Sequence, residues 1–231
     1  MKKSIVFLLT VFLIHSTGFS QDPRTLIAKV NGKFRQVENY QTDVVIKTEI
    51  PFIKMLPVTA TLYFKQPDKM RMKSNGIAIL PKQGFDDLLR ALADTISYTA
   101  IYQGEDAIRS IPVSVVSIIP IEDSSDMILG KFWINPQKSL VLRSQITTRA
   151  NGTILSEYVY GKYEQFGLPD SMTVTVDTKK FKIPKAVAAD INNYNSSAKD
   201  PSKQSKKGKI MLAFTNYKIN KGIPDSIFKE K

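Results

Sequence analysis

The sequence predicts a mainly β fold with a few helices, in the α+β class. Apolar and polar residues alternate with a period of two over most of the chain after residue 40, which is typical of antiparallel strands with one wet face. Only two segments carry apolar residues at helical spacing. Two short helices cannot cover about ten strands at core density. The sheet is therefore expected either to curl around the helices and keep an apolar interior, or to form a plain sandwich.

The first 20 residues have the pattern of a secretory signal peptide. Lys2 and Lys3 precede an apolar run from Ile5 to Ile14, and Gly18 and Ser20 suit the −3 and −1 positions of a cleavage site. The run is too short for a spanning helix, which needs about 20 apolar residues. We expect cleavage after Ser20. No cysteine stands at the cut, so a lipid anchor is not expected.

The mature chain, residues 21–231, is predicted to be one soluble, exported domain. Removal of the signal lowers the formal net charge from +12 to +10, because residues 1–20 hold two lysines and no acidic residue. In an exported protein this charge favours anionic lipid head groups or an acidic partner. Nucleic acid is not expected, since the chain shows no recognition motif for it. Solubility alone explains the charge equally well.

The composition excludes several kinds of catalytic and metal site. The chain has no cysteine, and its one histidine, His15, lies in the predicted signal peptide. The mature protein would therefore lack a disulfide, a thiolate nucleophile, a Ser-His-Asp or Cys-His site, and a usual zinc site. We expect a protein that is not an enzyme and that uses no metal or cofactor.

A helix is predicted at the start of the mature chain, over residues 24–37. Asp22 is a suitable N-cap and Pro23 suits the first helical position. The pair Asn31-Gly32 weakens the middle of this helix. Its apolar residues recur at helical spacing and are Leu26, Ile27, Val30, Phe34 and Val37.

Strand patterns follow this helix and continue to the end of the chain. Asn151-Gly152 is the strongest hairpin signal among them, and Trp133, which lies on a strand, is expected in the core. The predicted strands are 40–50, 58–65, 70–73, 98–103, 112–119, 127–135, 139–149, 153–163, 171–178 and 209–218.

A second helix, predicted over residues 82–97, interrupts the strands. Its apolar stripe follows the positions i, i+3, i+4, i+7 and i+11 and consists of Phe85, Leu88, Leu89, Leu92 and Ile96. A loosely docked apolar helix can cover a cavity when it is empty and move aside when it is loaded, so these residues are the candidate lid of a cargo cavity. An ordinary amphipathic helix on a filled core explains the stripe equally well.

The connection 50–58 is unusually apolar for a link between strands, which normally lies at the surface. Phe52, Ile53, Met55 and Leu56 are therefore candidates for the mouth of the cavity, where they would touch cargo or membrane. Methionine suits variable apolar ligands. Burial in the core is a slightly stronger interpretation of the same residues.

Two motifs that resemble catalytic or metal sites are weak. Ser196 and Lys199 have the S-x-x-K spacing of serine acyl-enzymes, but they lie in the polar, lysine-rich segment 192–208 and lack the companion motifs. The acidic segment 122–126 has oxygens that suit calcium, although such a run is more often a solvated loop. The sequence therefore predicts no catalytic residue and no metal site.

A series of short motifs runs through most of the chain between residues 26 and 228. They are KQPDKMR at 65–71, GEDAI at 104–108, IPVSVV at 111–116 with Pro120, FWINP at 132–136, the Asn151-Gly152 hairpin, YGKY at 160–163, LP at 168–169, YKIN at 217–220 and IF at 227–228. In this order and spacing they resemble the outer-membrane lipoprotein carriers and the wider lipoprotein-sorting (LolA-like) family.

This resemblance implies an unclosed antiparallel β-barrel of about ten to eleven strands, with helices as a lid or plug over a hydrophobic cavity. The implied function is that of a soluble periplasmic carrier, expected to be a monomer, that moves the acyl chains of lipoproteins or lipids toward the outer membrane. Its partners would be the acylated cargo, a membrane donor complex and an outer-membrane receptor, with transient membrane contact. The alternative is a non-transport protein of the same fold that senses lipids or partners at the envelope.

The turn at 65–71 departs from the family in one residue. Carriers of this family often place an arginine before the turn proline, where it helps to hold the lid. This chain has Gln66 before Pro67. Control of the lid by that arginine is therefore not expected here.

Overall fold

The computed structural model describes residues 22–50, 53–74, 76, 98–121, 126–149, 152–177 and 207–229. These residues form one α-helix, eleven strands and two short 3₁₀ turns, at Glu164–Phe166 and Asp225–Ile227. In chain order the elements are α1 (Pro23–Phe34), β1 (Asn39–Ile50), β2 (Ile53–Lys54), β3 (Val58–Lys65), β4 (Lys69–Ser74), β5 (Tyr98–Ile108), β6 (Ile111–Pro120), β7 (Met127–Asn135), β8 (Leu140–Thr148), β9 (Gly152–Val159), β10 (Ser171–Asp177) and β11 (Lys207–Ile219).

All eleven strands join one antiparallel sheet. The order is β4-β3-β1-β11-β10-β9-β8-β7-β6-β5, with the short β2 paired to the end of β1. Strands β5 to β11 form a meander in which each strand pairs with the next, whereas β1 pairs with both β3 and β11. Strands β4 and β5 are the two edges and do not pair with each other in the described part of the chain. The predicted unclosed antiparallel sheet with a helix is confirmed.

Helix α1 begins where the sequence predicts. The Asp22 carboxylate accepts hydrogen bonds from the backbone N–H groups of Arg24 and Thr25, and Pro23 is the first helical residue. The Thr25 hydroxyl also donates to this carboxylate and lowers the pKa of Asp22. The helix ends at Phe34, earlier than predicted, and Val37 is buried just beyond it.

The two faces of the sheet differ in character because successive side chains of a strand point to opposite faces. The face toward α1, here called the inner face, carries the main core, including Val44, Phe64, Val116 and Ile210. The outer face is mostly polar, and exposed Val45 is the exception in β1, as its place in the sequence pattern indicates. The alternation that predicted the strands therefore also fixes which residues face α1.

A second, smaller core lies on the outer face. It comprises Ile108, Val113, Val115, Trp133, Leu140 and Leu142. Trp133 is paired with Val115, while their neighbours Phe132 and Val116 pair on the inner face. The Trp133 indole donates to Asp106 and lies under the Lys131 ammonium and the Arg143 guanidinium. Burial of Trp133 is confirmed, although in this second core and not in the main one.

Two strand boundaries differ from the prediction for local reasons. Strand β5 continues past Gln103 to Ile108, because a bulge at Gly104, whose φ is 101°, breaks the alternation without ending the pairing. Strand β9 stops at Val159, before the predicted end at residue 163, because residues 160–167 turn through the 3₁₀ segment and bring the Asp170 N–H to the Val159 carbonyl.

The sheet has two ends, which we call the base and the rim. The base holds the tight turns: 65–69, 108–111, 135–140, the connection 159–171 and the segment after residue 219. Side chains bind these turns together, since Arg109 donates to the Tyr158 carbonyl, and Lys33 and Lys138 bind the carbonyl and carboxylate of Glu164. Hydrogen bonds between side chains and neighbouring turns therefore hold the base together.

The rim holds the other connections. These are residues 51–57, 75–97, 121–126, 149–151 and 178–206. Every internal segment outside the described residues belongs to one of these connections. The predicted helix 82–97, the acidic segment 122–126 and the polar segment 192–208 are all rim connections, and they lie wholly or mostly outside the described residues.

Candidate functional site

A small apolar cavity lies inside the base, between α1 and the inner face of the sheet. Its volume is about 50 Å³. It is lined by Val30 and Phe34 of α1, by Tyr40, Leu140, Val141, Tyr158, Phe214 and Tyr217 of the sheet, and by residues of the connections, among them Tyr160 and Leu168. Sites for small molecules usually measure about 300–1,000 Å³. This cavity is too small for an acyl chain, so such a chain would have to lie elsewhere on the inner face.

Buried tyrosines surround the cavity and bind the backbone of the base. The hydroxyl of Tyr160 donates to the Val141 carbonyl at 2.8 Å, and that of Tyr217 donates to the Pro169 carbonyl at 2.8 Å. The Tyr158 hydroxyl lies 3.0 Å from the Ser144 hydroxyl. Burial raises the pKa of Tyr158 to about 12 and also raises the pKa of Tyr40, Tyr160 and Tyr217. At neutral pH these side chains are therefore uncharged structural hydrogen-bonding groups.

The raised pKa values predict a cooperative alkaline unfolding. Because the folded-state pKa lies above the ordinary value of 10.0, burial of each neutral tyrosine stabilises the fold fully below about pH 10, and this contribution is lost as the pH rises toward and past 12. Exposed tyrosines should ionise first. The four tyrosines around the cavity should ionise only as the protein unfolds, which is seen as a loss of circular dichroism. The measurement is tyrosinate absorbance against pH. Ionisation of all nine tyrosines near pH 10, with the fold intact, would contradict the prediction.

Gln66 joins the β3–β4 turn to the end of α1. Its side-chain Nε2 donates to the carbonyl oxygens of Val37 at 2.9 Å, Arg35 at 3.3 Å and Phe34 at 3.5 Å. The last carbonyls of a helix have no partner within the helix, so a side-chain donor there stabilises its end. Gln66 thus holds α1 against the base with a neutral amide. The sequence pattern marked this position, but it did not predict this role.

Replacing Gln66 with alanine is expected to lower the free energy of unfolding by about 1–2 kcal/mol, because carbonyl groups at the end of α1 and just after it lose their donor. Urea denaturation measures the change. Gln66→Arg keeps donor groups and should recover part of the loss. Gln103→Ala, at an exposed glutamine of β5, is the matched control and should stay within about 0.5 kcal/mol of wild type. Equal effects of Gln66→Ala and Gln103→Ala would show that the amide does not hold α1.

The four predicted mouth residues do not share one environment. Met55 is half-buried and packs against the main core, whereas Leu56 is 86% exposed. The backbone of Ile53 pairs with Ile50 in the β1–β2 hairpin. Phe52 and the side chain of Ile53 lie outside the described residues. The position of Met55 therefore agrees with burial in the core, whereas Leu56 is free to contact cargo or membrane at the surface.

The predicted lid residues lie outside the described residues, and their role stays a prediction. They are Phe85, Leu88, Leu89, Leu92 and Ile96. The topology does fix how their segment is attached. Strand β4 ends at Ser74 and β5 begins at Tyr98, and these strands are the opposite edges of the sheet. Residues 75–97 therefore link the two unpaired edges at the rim.

Edge strand β4 presents a row of cations on the outer face. Lys69, Arg71 and Lys73 alternate with Met70 and Met72, which pack on the main core. Lys65 and Lys69 each bind the exposed Asp225 carboxylate, at 2.9 and 3.1 Å, and lower its pKa. Arg71 donates to the Lys229 carbonyl. Charged side chains of this kind protect an open sheet edge from pairing with other chains.

Two searches of the described residues gave negative results. Within residues 22–229, less the gaps given above, no group of three His, Cys, Asp or Glu side chains is arranged to hold a metal ion. In the same part of the chain, no helix combines the length and the apolarity needed to cross a bilayer.

Comparisons with known proteins give structural matches only. No family model matches the sequence, and no curated protein matches it. A LolA superfamily protein from Nitrosomonas europaea is similar with a TM-score of 0.55 at 11% identity, over 91% of this chain and 99% of that chain. A domain from Vibrio parahaemolyticus, described as an outer membrane lipoprotein-sorting protein domain, gives 0.57 at 8% identity, over 90% and 97%.

A DUF1329 family protein from Desulfovibrio piger ATCC 29098 is also similar, with a TM-score of 0.52 at 12% identity, over 90% of this chain and 98% of that chain. At such low identity, these matches concern the fold. The chain has a LolA-like fold.

Proposed function

We propose that the protein is a periplasmic carrier that binds the acyl chains of lipoproteins or lipids on the inner face of its sheet and moves them toward the outer membrane. The observation that carries the proposal is the apolar inner face of an unclosed sheet, in a fold shared with a LolA superfamily protein and a lipoprotein-sorting domain. Export, cleavage after Ser20 and a monomeric state belong to the same proposal.

The free energy of exposing an acyl chain sets the requirement for such a carrier. Burial of a methylene group is worth roughly 0.8 kcal/mol, so a chain of about 16 carbons in water is disfavoured by on the order of 10 kcal/mol. A carrier has to enclose most of the chain and still release it. A sheet with two unpaired edges can meet both demands, because its interior can widen without breaking a strand pair.

The distribution of side chains on the inner face favours entry at the rim. Large aromatic residues fill the half nearest the base, where Tyr40, Phe64, Tyr158, Phe214 and Tyr217 lie. The half nearest the rim is mostly aliphatic or small, with Tyr98 of β5 as an aromatic exception. Its other described residues include Ile46, Ile50, Ala60, Ala100, Ile118, Ile146, Ile154, Val174, Val176 and Gly208. A flexible hydrocarbon chain suits the aliphatic half. The base would act as a stop that the chain does not enter.

The lid and the mouth belong to this proposal as rim features. The apolar stripe of residues 82–97 would cover the aliphatic half of the inner face, since its segment links both sheet edges there. Exposed Leu56, with Phe52, Ile53 and Met55 beside it in the sequence, would contact cargo or membrane at the rim. Transient contact with a donor complex and a receptor would occur at this end.

The first experiment is native purification without detergent, followed by mass spectrometry of the extracted lipids. A carrier should retain acylated molecules, and it should bind a fluorescent fatty acid that these lipids displace. Leu88→Asp/Leu89→Asp should leave the circular dichroism unchanged and weaken fatty acid binding at least about tenfold, because burial of the stripe is lost. Arg90→Asp, on the polar side of the predicted helix, is the control. Unchanged binding by the double variant would exclude the lid.

An envelope sensor of the same fold is the alternative function. The cationic row of β4 favours it, because Lys69, Arg71 and Lys73 suit an acidic partner or an anionic membrane surface. Delivery separates the two functions. A carrier loaded with labelled lipid should transfer it to acceptor vesicles, whereas a sensor should retain it and bind a partner protein.

A further inference from the structure

A buried amide of α1 has no hydrogen-bond partner. Asn31 is 3% exposed, and neither its Nδ2 nor its Oδ1 contacts a donor or acceptor in the structure's described residues. Buried polar side chains are paired in the large majority of cases, and leaving one unpaired opposes folding. An apolar residue of similar size would avoid this cost. The amide therefore needs an explanation beyond packing.

The local sequence adds to the cost at this place. Asparagine and glycine are both weak helix formers, and here they are adjacent in the last turn of α1. Gly32 is not required by packing, because a Cβ added to it would meet no atom within 4 Å. Departures from the rules of stable folding concentrate at functional positions. The buried Asn31 in the last turn of α1 is thus a candidate for one.

The helix geometry shows which way Asn31 points. It follows Arg24 by seven residues, which is two helical turns, so both lie on the same side of α1. The Arg24 guanidinium donates to the Tyr98 carbonyl at the start of edge strand β5. Lys33 reaches Glu164 on the other side of the helix. Asn31 therefore faces the inner side of the sheet toward the unpaired edge, away from the connection 159–171.

We propose that the Asn31 side chain binds the carbonyl group at the head of a bound acyl chain, as in an ester or an amide. Nδ2 would donate to the carbonyl oxygen, and Oδ1 remains free to accept from an amide N–H or a hydroxyl. The hydrocarbon would then lie along the aliphatic half of the inner face. This inference rests on the proposed carrier function and names the chemical group that the carrier recognises.

Two related lipids test the proposal. 1-Palmitoylglycerol has an ester carbonyl, and 1-O-hexadecylglycerol is the matched ether without it. The wild-type protein should bind the ester about tenfold more tightly than the ether, because the buried amide is paired only with the ester. Asn31→Leu should bind both lipids equally. Asn31→Met, which has no hydrogen-bond donor, should also lose the preference for the ester.

Thermal stability separates a binding role from a structural one. Without lipid, Asn31→Leu should raise the melting temperature by about 2–4 °C, because an unpaired buried amide is removed. Gly32→Ala is the control for a firmer helix. It should also raise the melting temperature, but it should keep the ester preference. A lower melting temperature of Asn31→Leu, together with unchanged selectivity, would mean that Asn31 is structural.

The outcomes also distinguish a failure of this inference from a failure of the proposed carrier function on which it rests. If the wild-type protein binds neither lipid, the carrier function fails. If it binds both lipids equally, or if Asn31→Leu keeps the preference for the ester, lipid binding stands and the role of Asn31 is refuted. Selectivity that is present in wild type and in Gly32→Ala, and absent in both Asn31 variants, would support the proposal.

Discussion

Replacing Phe64 with alanine is expected to lower the free energy of unfolding by about 3–5 kcal/mol, the range for loss of a buried phenylalanine. Phe64 is fully buried on the inner face of β3. Its ring lies 5.3 Å from the ring of Phe34 in α1 and 5.3 Å from the ring of Tyr40 in β1. Alanine would leave a void between the helix and the sheet, and both neighbouring rings would lose a packing partner.

Urea denaturation of the purified variants would measure this effect. The matched control is Tyr63→Ala, which removes an aromatic ring from the next residue of the same strand on the outer face, where Lys73 lies over it. The control should cost about 1 kcal/mol. Equal losses of unfolding free energy in the two variants would contradict the conclusion that the main core lies on the inner face.

Replacing Gly130 with valine is expected to cost about 1–3 kcal/mol through overpacking. A Cβ at this position would lie 2.8 Å from the Phe132 ring and 2.9 Å from the Ile118 side chain. Phe132 is fully buried and Gly130 precedes it by two residues on the inner face of β7. The phenylalanine ring therefore occupies the space that the glycine leaves.

A double-mutant cycle tests this packing. Phe132→Leu alone should destabilise the fold, because the smaller side chain leaves a void. The double variant Gly130→Val/Phe132→Leu should lose less unfolding free energy than the two single variants lose in sum, because valine fills part of that void. Additive losses would show that the two positions do not share one space. Because neither change alters charge, the unfolding midpoints can be compared at one pH and ionic strength.

The strands and the first helix were predictable because their signals are local. Alternation of apolar and polar residues follows directly from the pleat of a strand, and Asp22-Pro23 is a capping signal within one turn. Where a boundary was wrong, a single local feature is responsible. Gly104 shifts the register of β5, and the turn after Val159 ends β9 while the sequence remains rich in tyrosine.

The pairing of β1 with β11 could not be predicted from the residues alone. Nothing in the pattern of either strand specifies a partner about 170 residues away, and a sandwich satisfies the same periodicity. The outer core around Trp133 was not predicted for a similar reason. Its members come from four strands, β5 to β8, and Leu142 is the extra residue of a bulge where β8 pairs with β7.

The candidate site was predictable in outline and not in its polar details. The stripe from Phe85 to Ile96 and the mouth residues from Phe52 to Leu56 remain predictions. Gln66 was marked as a departure from an arginine, but its three hydrogen bonds to the end of α1 and the residues just after it depend on where the turn meets the helix. Asn31 was noted as a weak helix residue, whereas its burial without a partner is a tertiary property.

The position of β11 has a consequence for the order of folding. Among the described strands, this one alone pairs with both β1 and β10, and it follows all the others in sequence. A polypeptide is synthesised from its N-terminus onward, and contacts between segments distant in sequence form slowly. The two parts of the sheet thus lack their shared strand until residues 207–219 have been synthesised, and a chain truncated before residue 207 would leave both without the strand that unites them.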